Sequence, residues 1–201
     1  MKEGRALALV FIVMALAGCG TLSAPPRDQF HRLVPAAAGA PPAEAADAPW
    51  VFVAPFGASG LHGQRALVYA HADGTSLEQY GYHYWIDSPR VMLQQGLAAT
   101  LRESLPARVL TEPGADEGLV VRGRVDRFER VDHGDGAGAA VVGLQFDVYP
   151  ARGAVPLLTR SYEREQPLAN DNLADYVDAT SRATREIFTA LAQELKPLLG
   201  Q

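Results

Sequence analysis

The chain has 201 residues, 48% of them hydrophobic and 20% charged, a balance that suits one ordinary globular domain with an appendage and excludes a disordered chain. Its 18 Lys and Arg face 23 Asp and Glu, for a formal net charge of -5, so it lacks the basic face that nucleic-acid binding needs. A single cysteine excludes a disulfide-stapled fold and a Cys-based structural zinc site within one chain.

In chain order, Lys2 and Arg5 precede an apolar run of 12 residues, Ala6 to Ala17. At ~1.5 Å per helical residue such a run covers about 18 Å, short of the roughly 30 Å of a bilayer's hydrocarbon core, so it reads as a signal peptide over residues 1–18. Leu16-Ala17-Gly18-Cys19 resembles the bacterial lipobox, in which small residues precede a Cys whose thiol accepts a diacylglyceryl group. Cys19 is therefore the expected lipid attachment site. Three acyl chains, palmitate among them, at ~0.8 kcal/mol per buried CH₂ anchor a chain to a membrane without spanning it. Gly20 after the Cys, in place of Asp, fits sorting to the outer membrane.

From Gly20 to Pro49, 6 of the 14 prolines and nine alanines fall within 30 residues. Pro/Ala-rich chain favours extended conformations, and this stretch would span about 90 Å at ~3.1 Å per residue. Residues 19–49 thus read as a lipidated tether and spacer, interrupted by the island Gln29-Phe30-His31-Arg32-Leu33, which suits a short strand returning to the domain edge.

Residues 50–201 read as one domain. Trp50–Ala54 and Arg65–Ala70 are short β-rich runs, and Asp73-Gly74 marks a turn. Leu77–Ile86 alternates, with Tyr80, Tyr82 and Tyr84 on one face and His83 and Trp85 on the other. Ser88 and Pro89 suit the N-cap and first position of a helix whose stripe of Leu93, Leu97, Leu101 and Leu105, widened by Val91 and Ala98, ends at Pro106. Strands follow over 108–111, 118–131, 138–149 and 155–165, the second and third joined by a hairpin at Asp132-His133-Gly134-Asp135-Gly136. A second amphipathic helix, capped by Asp171 or Asn172, carries Leu173, Val177, Thr180, Thr184, Ile187, Leu191, Leu195 and Leu198. The fold class is mixed α-β: a mixed, largely antiparallel sheet layered with two long amphipathic helices.

Catalytic material is sparse. Gly57-Ala58-Ser59-Gly60 lacks the residue between Ser and the second Gly that a nucleophile elbow needs, and no phosphate-binding glycine motif is present. His31, His62, His71, His83 and His133 show no metal-ligand spacing, and the glycines around Asp132, His133 and Asp135 are what a hairpin requires, so no metal or cofactor is expected. Arg122, Arg124, Arg127 and Arg130 alternate with Asp126, Glu129 and Asp132 as on a solvated strand face. Tyr80, Tyr82, Tyr84 and Trp85 form either a partner-binding platform or a half-buried strand covering the helix that follows.

The lipobox ending at Cys19, Phe30-His31-Arg32-Leu33, Val51-Phe52-Val53-Ala54-Pro55-Phe56 leading to Ala66-Leu67-Val68-Tyr69, Tyr84-Trp85-Ile86-Asp87-Ser88-Pro89 opening a helix, and a closing helix over Ala179–Leu191 come in an order that resembles the ABC-type transport auxiliary lipoproteins of Gram-negative bacteria, the PqiC-like family. Phe30-His31 stands where that family usually has paired tyrosines. The resemblance implies a non-enzymatic, periplasm-facing domain similar in fold to the N-terminal domain of TolB. It would hold the outer-membrane end of a phospholipid path, with an MCE-domain protein of an ABC transporter as partner and a homo-oligomer as a reasonable expectation. Two rivals share parts of this pattern: an LptE-like lipopolysaccharide-assembly lipoprotein, and a periplasmic lipoprotein hydrolase using one of the histidines.

Overall fold

The computed structural model describes residues 26–34, 48–71, 73–112, 118–134 and 138–199. The signal peptide, Cys19, most of the tether, and Asp135 and Gly136 of the hairpin loop lie outside the described residues. Among the described residues no helix is long and apolar enough to cross a membrane.

Nine strands form one mixed sheet: β1 (Gln29–His31), β2 (Trp50–Val53), β3 (Gly57–Ala58), β4 (Ala66–Ala70), β5 (Leu77–Trp85), β6 (Arg108–Leu110), β7 (Leu119–Asp132), β8 (Gly138–Pro150) and β9 (Leu158–Pro167). Helix α1 (Pro89–Ser104) joins β5 to β6, and α2 (Leu173–Leu195) follows β9. The sheet is organised by β7. One of its edges pairs antiparallel with β8 along its whole length, from Leu119↔Pro150 to Asp132↔Gly138. Its other edge takes three short parallel segments in turn: β2 at Leu119–Val121, β3 at Arg124–Val125 and β4 at Arg130–Val131. β9 extends the β8 side antiparallel, while β6 lies parallel to β2 and β5 antiparallel to β4. The longest ladders are antiparallel and the sheet is mixed, as the strand pattern predicts.

The island of the tether belongs to this domain. β1 pairs parallel with β5, Phe30 beside Tyr84, and the Ile86 amide donates to the His31 carbonyl at 2.8 Å. Leu33 is buried in the core, and the Val34 amide donates to Ser181 Oγ of α2 at 3.2 Å. The domain therefore begins before Trp50, and the stretch between the lipobox and β2 is not one free spacer.

Both helices cover the same face of the sheet. Leu93, Leu97, Leu101 and Leu105 of α1 and Tyr176, Ala179, Ile187, Leu191 and Leu195 of α2 are buried against Val53, Val121, Val125, Phe128, Leu144 and Phe146. Burying each large aliphatic or aromatic side chain stabilises the fold by about 1.5–3 kcal/mol, which is why the stripe at spacings of three and four dictates the layer. Val91, placed on the α1 stripe by its spacing, is 38% exposed instead. Thr180 and Thr184 sit on the buried stripe of α2 because their hydroxyls donate one turn back, to the Tyr176 and Thr180 carbonyls, at 2.7 and 2.8 Å.

Two glycines are required by close approach. Gly118, with φ of 112°, brings the chain so near Trp50 that an added Cβ would lie 2.2 Å from the Trp50 carbonyl oxygen. Gly123 faces the helices, where a Cβ would lie 2.5 Å from the Phe56 ring.

The opposite face of the sheet carries polar pairs: Arg124 with Asp126 of its own strand at 2.7 Å and, across strands, with Gln145 at 2.7 Å, Arg127 with Glu163 at 3.2 Å, and His133 with Glu165 at 3.0 Å. Asp126 is an extra residue in β7: Val125 pairs with Leu144 and Arg127 with Gly143. This bulge resets the alternation. It sends Arg127 to the polar face with Arg122 and Arg124, but turns Arg130 toward the helices, where it meets the Tyr80 hydroxyl at 3.2 Å and Asp171. The solvated arginine face thus holds for three of the four.

Candidate functional site

The aromatic strand β5 is divided by its backbone. Tyr82 has a φ of 62°, a left-handed conformation rare for a tyrosine, and the ladder with β4 breaks here: Ala66 pairs with Tyr84 but Val68 with Gln79. The irregularity cancels the period-two alternation. Tyr80 turns to the helix side, with its ring 4.7 Å from Tyr69 and 6.3 Å from His83, and burial raises its hydroxyl above the usual range. Trp85, 1% exposed, is a core residue between Phe128 and Tyr176, at 5.2 and 6.1 Å. Tyr84 lies half-buried against Phe30, at 5.9 Å, and Tyr82 is exposed. The four aromatics that the sequence groups together therefore do not share one platform: Tyr80 and Trp85 support the fold, and only Tyr82 and Tyr84 contribute to a surface.

That surface continues onto residues outside the strand. Phe30 on β1 is 60% exposed. The Arg65 guanidinium lies 5.6 Å from its ring centroid and is fixed by donating to the Trp85 and Ile86 carbonyls at 3.3 and 2.8 Å. Phe30, His31, Arg32, Arg65 and Ile86 line an open groove of about 470 Å³. His31 Nε2 also lies 3.3 Å from His83 Nδ1, their rings stacked at 5.5 Å. Burial, and then the charge of His83, hold His31 below its ordinary value. The groove walls are thus two apolar side chains, the His31 ring and two fixed or flanking cations. Phe30 and Arg32 are legible in the sequence as the island's residues; Arg65 and Ile86 join them only through the β1–β5 pairing.

A second cluster has no sequence signature. His62, on the turn Gly60–Gly63, places Nε2 3.4 Å from Glu129 Oε2, while Arg127 holds Glu129 Oε1 through two donors at 2.9 and 2.6 Å. Glu129 is buried, and burial lowers the His62 pKa against the pull of its carboxylate partner. His62 Nδ1 is buried with no hydrogen-bond partner among the described residues. His133 bonds Glu165, and among the described residues no group of three or more His, Cys, Asp and Glu is placed to hold a metal.

The family described as ABC-type transport auxiliary lipoprotein component matches residues 31–192. The crystal structure of protein XCC0632 from Xanthomonas campestris superposes with a TM-score of 0.69 at 16% identity, covering 82% of this chain and 92% of that one. That of an uncharacterized protein gives 0.67 at 16% identity, covering 85% of this chain and 100% of the other. No curated protein matches the chain.

Proposed function

Because the chain belongs to the ABC-type transport auxiliary lipoprotein component family, we propose that it is a non-enzymatic, lipid-anchored outer-membrane component of an ABC/MCE-type lipid transport system. It faces the periplasm and docks the periplasm-spanning MCE-domain protein at the outer membrane. The observation that carries this reading is order along one chain: a lipobox at Leu16–Cys19, then the family match from residue 31 to 192. A domain fixed by acyl chains at one membrane raises the effective concentration of a partner reaching across from the other. Holding and docking need a rigid body, which the double-layered core supplies, and no bound cofactor.

The test is in-cell photo-crosslinking from Tyr82 and from Val155, exposed side chains at separate places in the fold, with identification of the captured protein. Capture of an MCE-domain protein is expected. Capture of an outer-membrane β-barrel would replace this reading with the lipopolysaccharide-assembly one. Cys19→Ser is expected to move the protein out of the outer-membrane fraction.

A further inference from the structure

We infer that the Phe30–Ile86 edge of the domain rests against the phospholipid surface in which the acyl chains of Cys19 are embedded. The inference rests on the reading of Cys19 as the lipid attachment site and adds to it an orientation and a second contact. Gln29, the first residue of β1, stands ten positions after Cys19. Fully extended at ~3.3–3.6 Å per residue this stretch reaches at most about 35 Å. A domain of this size has a radius of gyration of about 15 Å, so that reach is close to its own diameter. The anchor enters at the β1 edge, and this edge is the part of the domain that the tether keeps nearest to the bilayer.

The chemistry of the edge fits that neighbour. Phe30 and Ile86 are 60% and 38% exposed and line the same groove, so two large apolar side chains are presented together at this edge. Exposed Arg32 and Arg65 line the same groove, and exposed Arg27 and Arg90 lie three and four residues along the chain from Phe30 and Ile86, against Asp28 and Asp87, in a chain whose net charge is -5. An aromatic ring beneath a fixed guanidinium, next to a groove walled by Phe30, Ile86, Arg32 and Arg65, offers apolar contact for acyl carbon and cations for phosphate side by side. A partner protein is brought to this edge by nothing in the chain itself, whereas the bilayer is held within reach of it covalently.

The test uses the full-length lipidated protein in vesicles of phosphatidylethanolamine and phosphatidylglycerol. Cys19 is the chain's only cysteine and acylation consumes its thiol, so the unsubstituted protein is expected to be unreactive to maleimide. A reactive thiol there would overturn the anchor reading and this inference together. In Ile86→Cys, and separately in Ser161→Cys on exposed β9, the new thiol is labelled with an environment-sensitive fluorophore, and lipids carrying a headgroup nitroxide are introduced. The expected result is a several-fold loss of emission from position 86 and none from position 161. The double variant Arg27→Glu, Arg32→Glu, in the Ile86→Cys background, is expected to abolish most of that loss while the acylated mass is unchanged. Equal emission at both positions in a protein whose Cys19 is acylated would overturn the inference and leave the anchor standing. So would protection of position 86 by a second copy or by an MCE-domain protein in place of lipid.

Discussion

Tyr176 is a core residue with a polar atom that the core does not use. Its hydroxyl is fully buried beside Thr180, whose own hydroxyl is committed to the Tyr176 carbonyl, makes no hydrogen bond of good geometry among the described residues, and is driven upward in pKa by burial. An unpaired buried hydroxyl keeps its desolvation cost without compensation, so Tyr176→Phe is expected to leave stability unchanged or raise it by up to about 1 kcal/mol in urea unfolding. Tyr162 is the contrast. Its hydroxyl donates to Glu194 at 2.9 Å, and burial together with that bond pushes its pKa to about 12. Tyr162→Phe should cost about 1 kcal/mol in the same measurement. Two histidines set the pH response. Burial holds His31 and His62 below their ordinary 6.5, so the folded chain binds these protons less readily than the unfolded chain. Stability from this source is complete above pH ~6.5 and is lost as pH falls from there toward the folded pKa values. Urea midpoints should therefore drop between about pH 7 and pH 5, with a flatter slope in the His31→Gln, His62→Gln double variant.

The two helices begin alike in sequence and differently in bonding. Asn172 has extended backbone angles and its side chain accepts from the Asp175 amide at 2.9 Å, while the Asp175 carboxylate accepts from the Asn170 amide at 2.6 Å. Ser88 occupies the same position before α1, but its side chain makes no cap bond. Asn172→Ala should cost about 1 kcal/mol and Ser88→Ala much less, as read by chemical denaturation. Both cap positions could be narrowed from the sequence, to Ser88 and to Asp171 or Asn172, because capping is local, and the helices and the β7–β8 hairpin could be placed as well. What could not be read are features defined by a partner strand. The extra residue at Asp126 and the left-handed Tyr82 each shift alternation by one, and a period-two pattern holds only while the pairing is unbroken. For that reason the sequence leaves Tyr80 between a partner platform and a half-buried strand and puts Arg130 on a solvated face, whereas the structure turns both toward the helices. His62 and Glu129 meet across a turn and a strand with no spacing rule connecting them.

At the scale of the whole molecule, β7 is hydrogen-bonded on both edges, whereas β1 and β6 are three-residue strands held on one. Native-state hydrogen exchange should accordingly be slowest in β7 and β8 and fastest in β1 and β6, with β9 between them. A uniform rate across the sheet would contradict the central role of β7. The docking of β1 also divides the Pro/Ala-rich stretch that composition presents as one spacer. Gln29–Val34 and Ala48 onward are both parts of the domain, so only the residues before Gln29 can serve as the link to Cys19. The dependence on β7 has a consequence for how the chain is made. Val51, Gly57 and Tyr69 take their partners from Leu119, Arg124 and Arg130, so a polypeptide emerging from its N-terminus first exposes β2, β3 and β4 long before their template exists. The β7–β8–β9 meander, by contrast, is made of neighbours and can assemble by itself as it appears. The N-terminal half has to wait, open to chaperones and proteases, until the C-terminal half has been delivered.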